Sequence, residues 1–343
     1  MLKTALIADR RYLNHIAGRH HPERPERAKA MIEMAESLER PNLQFHVPRE
    51  ATTDEIALCH ERGYIATVAR TAQFEHYDFD PDTHTCAESF KTAMLAAGGT
   101  LTAVEAVADG AADNAFAIVR PPGHHALPAR AMGFCFFNNV AIAAAFLIKQ
   151  MRARRVLIVD WDLHHGNGTQ EIFYDSPDVL YTSIHQYPFY PGTGAMEQMG
   201  TGRGEGYTIN APVPAGFGDA EFIDIFDQVI LPIGRKFAPD FVLVSSGFDA
   251  HFRDPLGDLR VSEDGFAAMT RRIKRLAAEC CSGKLVVLLE GGYDLEALAG
   301  SGKAVIEELG RDPGEPYARA FGRSQAMPLI EREFEELSHY WRL

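Results

Sequence analysis

Short, uninterrupted runs of apolar, mostly β-branched residues are the feature that most limits how this chain can fold. Each run stops abruptly at polar or glycine-rich residues, and the clearest runs are Ala115–Val119, Val156–Val159, Val179–Ile184, Phe241–Val244 and Leu285–Leu289. A strand with one face in water alternates apolar and polar residues, whereas a continuous apolar run indicates a strand covered on both faces. These runs therefore predict a parallel sheet buried between layers of helices.

Helical patterns separate these runs along the chain. The predicted helices are Asn139–Met151, Asp219–Phe237, Ser262–Cys281 and Asp294–Leu309, with earlier ones at Pro25–Leu38 and Ser89–Ala108. Strands that alternate with helices are typical of a doubly wound α/β domain, with a mostly parallel sheet flanked by helices. Because no repeat, low-complexity tract or linker interrupts the pattern, we predict one catalytic domain over residues 1–343.

Charge and composition limit the partners of the chain, whose 343 residues carry 47 acidic and 34 basic side chains for a net charge of −13. Nucleic-acid binding requires clustered Lys and Arg, so we expect no nucleic-acid partner.

No apolar run approaches the ~20 residues of a membrane span, and the N-terminal apolar stretch is too short for a signal peptide. The five cysteines include no CxxC pair, which fits a reducing compartment. We therefore expect a cytoplasmic protein without membrane contact.

Polar and ionisable residues follow each predicted strand where its apolar run stops. In chain order these segments are His124-His125, Asp160-Trp-Asp162-Leu-His164-His165, His185, Asp249-Ala-His251 and Glu290-Gly-Gly-Tyr293. Open parallel sheets bind ligands beyond the carboxyl ends of their strands. We therefore expect these side chains to meet at one edge of the sheet.

Asp162, His164 and Asp249 are candidate metal ligands. In an extended segment, residues two apart point the same way, so Asp162 and His164 can share one metal with Asp160 behind them. Two carboxylate oxygens and one imidazole nitrogen suit zinc and leave a coordination position open. Iron and manganese accept the same ligands, and acids after strands also cap helices, so the spacing alone leaves the site and its metal open.

The tandem histidines and Tyr293 are candidate catalytic residues. Histidine titrates near the pH at which it can take a proton from a water molecule and pass it to a leaving amine, which suits His124 or His125. Tyr293 follows two glycines that allow a close approach of the backbone. Its hydroxyl can donate a hydrogen bond to an oxyanion, although a tyrosine considered alone is more often a packing residue.

Six segments occur in an order and combination that is highly specific: His21-Pro-Glu-Arg-Pro-Glu-Arg27, Arg120-Pro-Pro-Gly-His-His125, Gly133-Phe-Cys-Phe-Phe-Asn138, Asp160-Trp-Asp-Leu-His-His-Gly-Asn-Gly168, Phe248-Asp249-Ala-His251 and Gly291-Gly-Tyr293. With these segments the chain resembles the superfamily of histone deacetylases and acetylpolyamine amidohydrolases, from His21 to about Leu298. The resemblance implies the arginase-like α/β fold and a hydrolase that removes an acetyl group from an amine. Trp161, Asn167 and Thr169-Gln170 resemble the class II branch and its bacterial relatives.

The resemblance implies one zinc ion per chain and also potassium. The implied zinc ligands are Asp162, His164 and Asp249. A first potassium site would take mainly backbone oxygens from Asp160, Asp162, His164, Ser183 and Ile184. A second would involve Phe173, Ser176, Val179 and Tyr207, which considered alone are ordinary packing residues.

The resemblance also implies catalytic roles. His125 would be the general base and acid, His124, oriented by Asp160, would stabilise charge in the transition state, and Tyr293 would polarise the acetyl carbonyl. Tyr293 is not the histidine of the weakly active subgroup, so we expect turnover. Asn167 stands where one branch of the family has an aspartate. A neutral amide withholds the charge that would raise the pKa of His125, so we expect His125 to be neutral and ready to accept a proton.

A narrow tube for an acetylated alkyl amine is a further implication. Gly133, Phe134 and Tyr190 would belong to its wall, and Arg27 would line an internal channel for acetate. Tyr190 replaces a phenylalanine that is common in this tube. Cys135 lies beside it in the sequence pattern and is expected to be a buried apolar side chain rather than a reactive thiol.

The substrate beyond the acetyl group stays open. Leu256 stands where polyamine-selective relatives carry a glutamate, which favours acetyl-lysine in proteins or peptides over an acetylpolyamine, and Asp82 is a candidate acid at the rim. A ureohydrolase with two manganese ions would need another aspartate after Asp249-Ala-His251, where Phe252-Arg253 follows. A non-catalytic acyl-lysine binder would have lost a ligand, a histidine or Tyr293. A homo-oligomer is compatible with the sequence.

Overall fold

An eight-stranded parallel sheet forms the centre of the computed structural model, which describes residues 1–314 and 321–342. The strands are β1 (Thr4–Ile7), β2 (Leu43–His46), β3 (Tyr77–Asp80), β4 (Thr83–Thr85), β5 (Asn114–Ala117), β6 (Val156–Asp160), β7 (Val179–Gln186), β8 (Thr208–Val213), β9 (Phe241–Ser246) and β10 (Leu285–Leu289). The spatial order is β2-β1-β5-β10-β9-β6-β7-β8, with all neighbours parallel. Strands β3 and β4 form a separate antiparallel hairpin. The predicted parallel sheet is confirmed.

Helices flank this sheet, as the sequence predicted. They are α1 (Pro25–Glu36), α2 (Thr53–Ile56), α3 (Arg62–Arg70), α4 (Ser89–Ala108), α5 (Asn139–Lys149), α6 (Asn167–Phe173), α7 (Asp219–Ile225), α8 (Leu231–Phe237), α9 (Glu263–Cys281), α10 (Leu295–Leu309) and α11 (Met327–Leu337). Helix α4 packs on α5, while α1, α10 and α9 form a second packed group. Every residue of β5, β6, β9 and β10 is buried, so both faces of the central strands are covered. None of the helices in the described ranges has the length and apolar character that a membrane span requires.

Three strands of the sheet, β1, β2 and β8, were not among the predicted runs. Strands β1 and β2 have only four residues each, and β8 (sequence TINAPV) mixes polar residues into its apolar pattern. Strands β2 and β8 lie at the two edges of the sheet, where a strand has one neighbour. Short strands of this kind carry too little periodicity to be separated from loops by pattern alone.

The helix predicted over Asp219–Phe237 is interrupted. The structure has α7, then a π-helical turn over Phe226–Ile230, and then α8, with Pro232 in the first turn of α8. Proline has no N–H to donate within a helix, and its ring clashes with the preceding turn. A wider turn just before Pro232 accommodates both effects without ending the helical path.

The order of the four central strands, β5-β10-β9-β6, positions the polar segments. Strands β5 and β6 follow each other in the chain but are separated in the sheet by β10 and β9. Ligands bind in open α/β sheets where such a change of direction leaves a crevice at the carboxyl ends. The segments after these four strands contain the histidine pair, Asp162 with His164, Asp249 and Tyr293. These segments therefore come together at the carboxyl ends of the central strands.

Candidate active site

Asp162, His164 and Asp249 converge beyond the ends of β6 and β9. One nitrogen of His164 and one oxygen of each carboxylate lie within 4.8 Å of one another. His164 Nδ1 is 3.3 Å from Asp162 Oδ1 and 3.1 Å from Asp249 Oδ2. Both aspartates are fully buried, and His164 is nearly so. The predicted metal trio is therefore brought together, and its donor set of two carboxylates and one imidazole fits a divalent cation.

Backbone amides hold the two carboxylates in place. The N–H groups of His164 and Gly291 each donate to Asp162 at 2.9 Å, and the N–H of Leu163 donates to Asp249 Oδ1 at 2.9 Å. A Cβ atom on Gly291 would lie 2.2 Å from Asp249 Oδ2. Only glycine therefore lets the segment after β10 approach both carboxylates closely enough to donate to one of them.

His125 is buried beside Asn167, as the sequence predicted. The distance from His125 Nδ1 to Asn167 Oδ1 is 2.8 Å. An amide oxygen only accepts, so His125 Nδ1 carries the proton and Nε2 is left as an acceptor. Burial lowers the pKa of His125 well below its ordinary value, and the neighbouring His124 and His164 lower it further. His125 is therefore neutral near pH 7 and can accept a proton at Nε2.

His124 differs from its neighbour in charge, although the two ring centroids are only 4.0 Å apart. Its Nδ1 is 3.1 Å from Asp160 Oδ2, which also accepts a hydrogen bond from Tyr181. Burial acts to lower the pKa of His124, but the carboxylates of Asp162 and Asp160 outweigh it and raise the pKa to about 10. A cation bound to Asp162 would offset the effect of that residue and leave Asp160 as the partner that stabilises protonated His124.

A narrow cavity of about 90 Å³ leads to these residues. Its lining consists of Asp82, Pro122, His124, His125, Gly133, Phe134, His164, Tyr190, Leu256, Gly291 and Tyr293. Burial raises the pKa of Tyr293 well above its ordinary value, so its hydroxyl keeps its proton and can donate a hydrogen bond. Gly133 has a φ of 57°, and a Cβ there would lie 2.4 Å from the His125 ring. The wall can pass this close to His125 only at a glycine.

Comparison with known proteins assigns the family. The family model described as histone deacetylase domain matches residues 21–309. The chain belongs to the histone deacetylase family. It is therefore a deacetylase, a hydrolase that acts on an acetylated substrate.

Its relatives include proteins from archaea, plants and fungi. The deacetylase is 42% identical to a probable deacetylase of Archaeoglobus fulgidus, over 99% of both chains. It is 42% identical to histone deacetylase 15 of Arabidopsis thaliana over 90% of this chain, a match that spans 57% of the plant protein. The crystal structure of the HDA15 HD domain resembles it with a TM-score of 0.91 at 39% identity, covering 99% of this chain and 96% of that one. The arginase-like α/β fold expected from the sequence is thus confirmed.

Two buried acids that the sequence analysis did not assign hold the backbone of the histidine pair and of Tyr293. Glu290 Oε2 accepts hydrogen bonds from the N–H groups of Gly123, at 2.7 Å, and His124, at 3.2 Å. Asp254 Oδ2 accepts one from the N–H of Tyr293 at 2.6 Å. Glu290 directly follows a predicted strand, so its position at the sheet edge was a usable signal. Asp254 lies in a loop, where nothing in the local pattern distinguishes it from a surface acid.

Arg27 lies behind Tyr293 rather than in the lining of the cavity. Its guanidinium is stacked over the Tyr293 ring, 4.8 Å from the centroid. It donates to the carbonyl oxygens of Gly292 at 2.5 Å and Glu290 at 2.6 Å, and to the buried carboxylate of Glu23 at 3.0 Å. The arrangement supports the Tyr293 ring, while Arg27 itself does not line the cavity. The acetate channel stays a prediction for this arginine.

Other predicted residues occupy the outer part of the cavity. Phe134, Tyr190, Leu256 and Asp82 all line it, and the Phe134 ring meets Tyr293 edge to face at 5.9 Å between centroids. Cys135 is fully buried next to Phe134, and burial raises the pKa of its thiol well above the ordinary value. A thiol in this environment stays protonated and behaves as a small apolar side chain.

The predicted potassium residues lie on neighbouring segments. Ser183 and Ile184 belong to β7, and the chain leaves β6 at Asp160 toward Asp162 and His164. In the second group, Phe173 ends α6 and Val179 begins β7, with Ser176 between them and Tyr207 directly before β8. The carbonyl oxygens of Phe173 and Tyr207 accept hydrogen bonds from Ser176 and Tyr181. Both potassium sites stay predictions.

Replacing Asp249 by Ala should remove the metal. The change deletes one of three ligands and leaves only Asp162 and His164 to hold the ion. The metal content measured by mass spectrometry should therefore fall from about one ion per chain to near zero. Deacetylation should be lost with it. Asp258→Ala, at an exposed acid that does not line the cavity, should keep both. A metal-replete Asp249→Ala protein would show that another residue is the third ligand.

Replacing Asn167 by Asp should move the pH profile of kcat/KM. The new carboxylate would stand where Asn167 Oδ1 now lies, 2.8 Å from His125 Nδ1, and would favour the protonated ring. Because the base form of His125 would then be lost at a higher pH, the acid limb should shift upward by roughly one unit or more. Asn14→Asp, at an exposed asparagine, should leave the limb unmoved. An unmoved limb in the Asn167 variant would exclude His125 as the base.

Proposed function

We propose that this deacetylase is a zinc enzyme that hydrolyses the amide of acetyl-lysine in proteins or peptides to free amine and acetate. The observation that carries the proposal is the meeting of three kinds of group at the inner end of one narrow cavity. They are the ligand trio, a neutral histidine beside a cationic one, and the protonated Tyr293. Metal-assisted amide hydrolysis needs each of them: a Lewis acid, a proton carrier and donors for the oxyanion.

Asp162, His164 and Asp249 would hold one Zn²⁺ per chain. Their two oxygens and one nitrogen match the three-ligand sets of catalytic zinc sites. When bound, zinc supplies a Lewis acid that polarises a carbonyl oxygen and makes a water molecule acidic. Iron(II) and manganese(II) accept the same ligands, so metal analysis of protein purified without added metal tests this part of the proposal.

His125 would be the proton carrier in this mechanism. Its Nδ1–H is held by Asn167, so Nε2 is the nitrogen that can take a proton from the attacking water and pass it to the leaving amine. Neutral His125 is available as the base from the start, because burial and its cationic neighbour hold its pKa low. His124, protonated and oriented by Asp160, would balance the negative charge that develops on the substrate.

Tyr293 would donate its hydroxyl hydrogen to the acetyl oxygen as that oxygen becomes negative. The side chain is held before the substrate arrives, by Arg27 stacked behind the ring and by Asp254 bound to its backbone N–H. A donor fixed in advance needs no reorganisation during the reaction, which is why such groups contribute strongly to rate.

The outer cavity would bind the alkyl stem of lysine. Phe134, Leu256 and Pro122 give it apolar walls that suit four methylene groups, and Tyr190 adds a hydroxyl at the rim. Leu256 offers no charge to a second ammonium group, which favours a peptide-borne lysine. Asp82 lines the same cavity and is the observation that favours the alternative, an acetylpolyamine with a distant ammonium.

Two distant alternatives are disfavoured. A binuclear ureohydrolase needs a second set of ligands beside the first, but in the described part of the chain the other group of three ligands lies on the β3–β4 hairpin. A non-catalytic binder would lack one of the reacting groups, whereas His124, His125 and Tyr293 all face the cavity.

Replacing Tyr293 by Phe should lower kcat on an acetyl-lysine fluorogenic peptide by roughly 100-fold, because one oxyanion donor is lost. The metal content should stay unchanged, since Tyr293 is not a ligand. Tyr77→Phe, at a half-exposed tyrosine of β3 outside the cavity lining, provides the matched control and should retain full activity. A Tyr293→Phe enzyme with the original kcat would remove this residue from the mechanism.

The substrate class follows from kcat/KM measured on one preparation for an acetyl-lysine peptide, acetylputrescine and acetylspermidine. We expect the peptide to be preferred by about tenfold or more, because Leu256 leaves a second ammonium group without a carboxylate. A preference of that size for either polyamine would contradict the peptide assignment and support Asp82 as an ammonium ligand. Activity on none of the three would contradict both assignments.

A further inference from the structure

A second group of side chains that could ligate a metal lies outside the first trio, on the β3–β4 hairpin and at the residue directly before it. It consists of His76, Asp78 and His84, whose ligand atoms lie within 4.8 Å of one another. His76 Nε2 and His84 Nδ1 are each 2.6 Å from Asp78 Oδ1. The two imidazole rings face each other with centroids 5.4 Å apart. Two imidazole nitrogens thus lie next to the same carboxylate oxygen, so all three side chains offer a ligand atom in one small region.

The strand geometry explains why these three side chains meet. Asp78 on β3 pairs directly with His84 on β4, and directly paired residues of antiparallel strands project from the same face. His76 is two residues before Asp78, and residues two apart in an extended chain also share a face. The irregularity of the hairpin falls after this pair, between Asp78 and Asp80, and does not disturb it. The backbone itself therefore gathers the three ligands.

We propose that His76, Asp78 and His84 form a second metal site, which binds a divalent transition ion of the Zn²⁺ class. Two imidazoles and one carboxylate are borderline donors that suit zinc, and Zn²⁺ needs ligands at about 2.0–2.2 Å in tetrahedral geometry. His76 and Asp78 are more than half exposed, with side-chain accessibilities of 55% and 58%. They can make the small adjustment to that geometry, and water can fill the fourth position.

The hairpin connects this site to the mouth of the cavity. Its turn carries Asp82, which lines the cavity, and the backbone carbonyl of Asp82 is 3.0 Å from His21 Nε2. His21 in turn meets the His84 ring edge to face, 5.7 Å between centroids. A two-stranded hairpin has little stability of its own, so an ion that joins His76 and Asp78 to His84 ties β3 to β4. The bound ion would thereby hold the Asp82 turn at the rim.

The test is a calorimetric titration of Zn²⁺ into tag-free protein that carries its resident metal. Wild type should bind one additional ion per chain with a dissociation constant in the micromolar range. His84→Ala and His76→Ala should each weaken this binding by roughly 10- to 100-fold, because each removes one of three ligands. His339→Ala, at an exposed histidine after α11, is the matched control and should bind like wild type. Amide hydrogen exchange within residues 76–85 should slow with zinc in wild type only.

Two further results decide the proposal. Asp249→Ala, which removes a ligand of the catalytic trio, should still bind zinc at the hairpin. The hairpin site can therefore be tested separately from the proposed zinc site of the trio. Circular dichroism of the histidine variants excludes misfolding, and the exposed His76 gives a variant that disturbs no buried packing. No additional ion in wild type at millimolar zinc, or binding that persists in both His76→Ala and His84→Ala, would overturn the proposal.

Discussion

The burial of two carboxylates at one point is the constraint on which the rest of the site depends. Asp162 and Asp249 are fully removed from water, and each buried ion costs several kcal/mol unless partners replace its hydration. Burial raises the pKa of Asp249, and the nearby Asp162 raises it further, because like charges in a dry site oppose ionisation. Backbone amides and His164 offset part of this cost, and a cation held by the trio would offset more of it. The same groups fix the geometry that the reaction uses.

Buried acids outside the trio connect the segments that carry the chemistry. Glu290, after β10, binds the backbone of the histidine pair after β5, and Asp254, after β9, binds the backbone of Tyr293 after β10. Arg27 of α1 joins the same network through the carbonyl oxygens of Glu290 and Gly292. The histidine pair and Tyr293 are therefore each held by an acid that follows a different strand from their own. The hydrogen bonds that position these segments also join distant parts of the fold.

The residues at the mouth of the cavity come from other segments than the residues at its inner end. Asp82 comes from the β3–β4 hairpin, and Tyr190 and Leu256 come from loops after β7 and β9. The pairing of the parallel strands, which positions the reacting groups, does not fix the position of these segments. Substrate preference can therefore change through the rim while the amide chemistry stays the same, and a metal on the hairpin would act on preference rather than on the chemical step.

The sequence by itself determined the α/β class and the central strands, because continuous apolar runs are local signals. The polar segments that end these runs made the residues of the trio candidate ligands, and the family pattern selected them. The sequence also indicated Asn167 as the partner of His125, through the family pattern. Only the tertiary structure decided which strands are neighbours, and so which loops face each other. It alone revealed Glu290 and Asp254 as supports, Arg27 behind Tyr293, and the pairing of Asp78 with His84. These depend on contacts between residues far apart in the chain, and no local spacing records them.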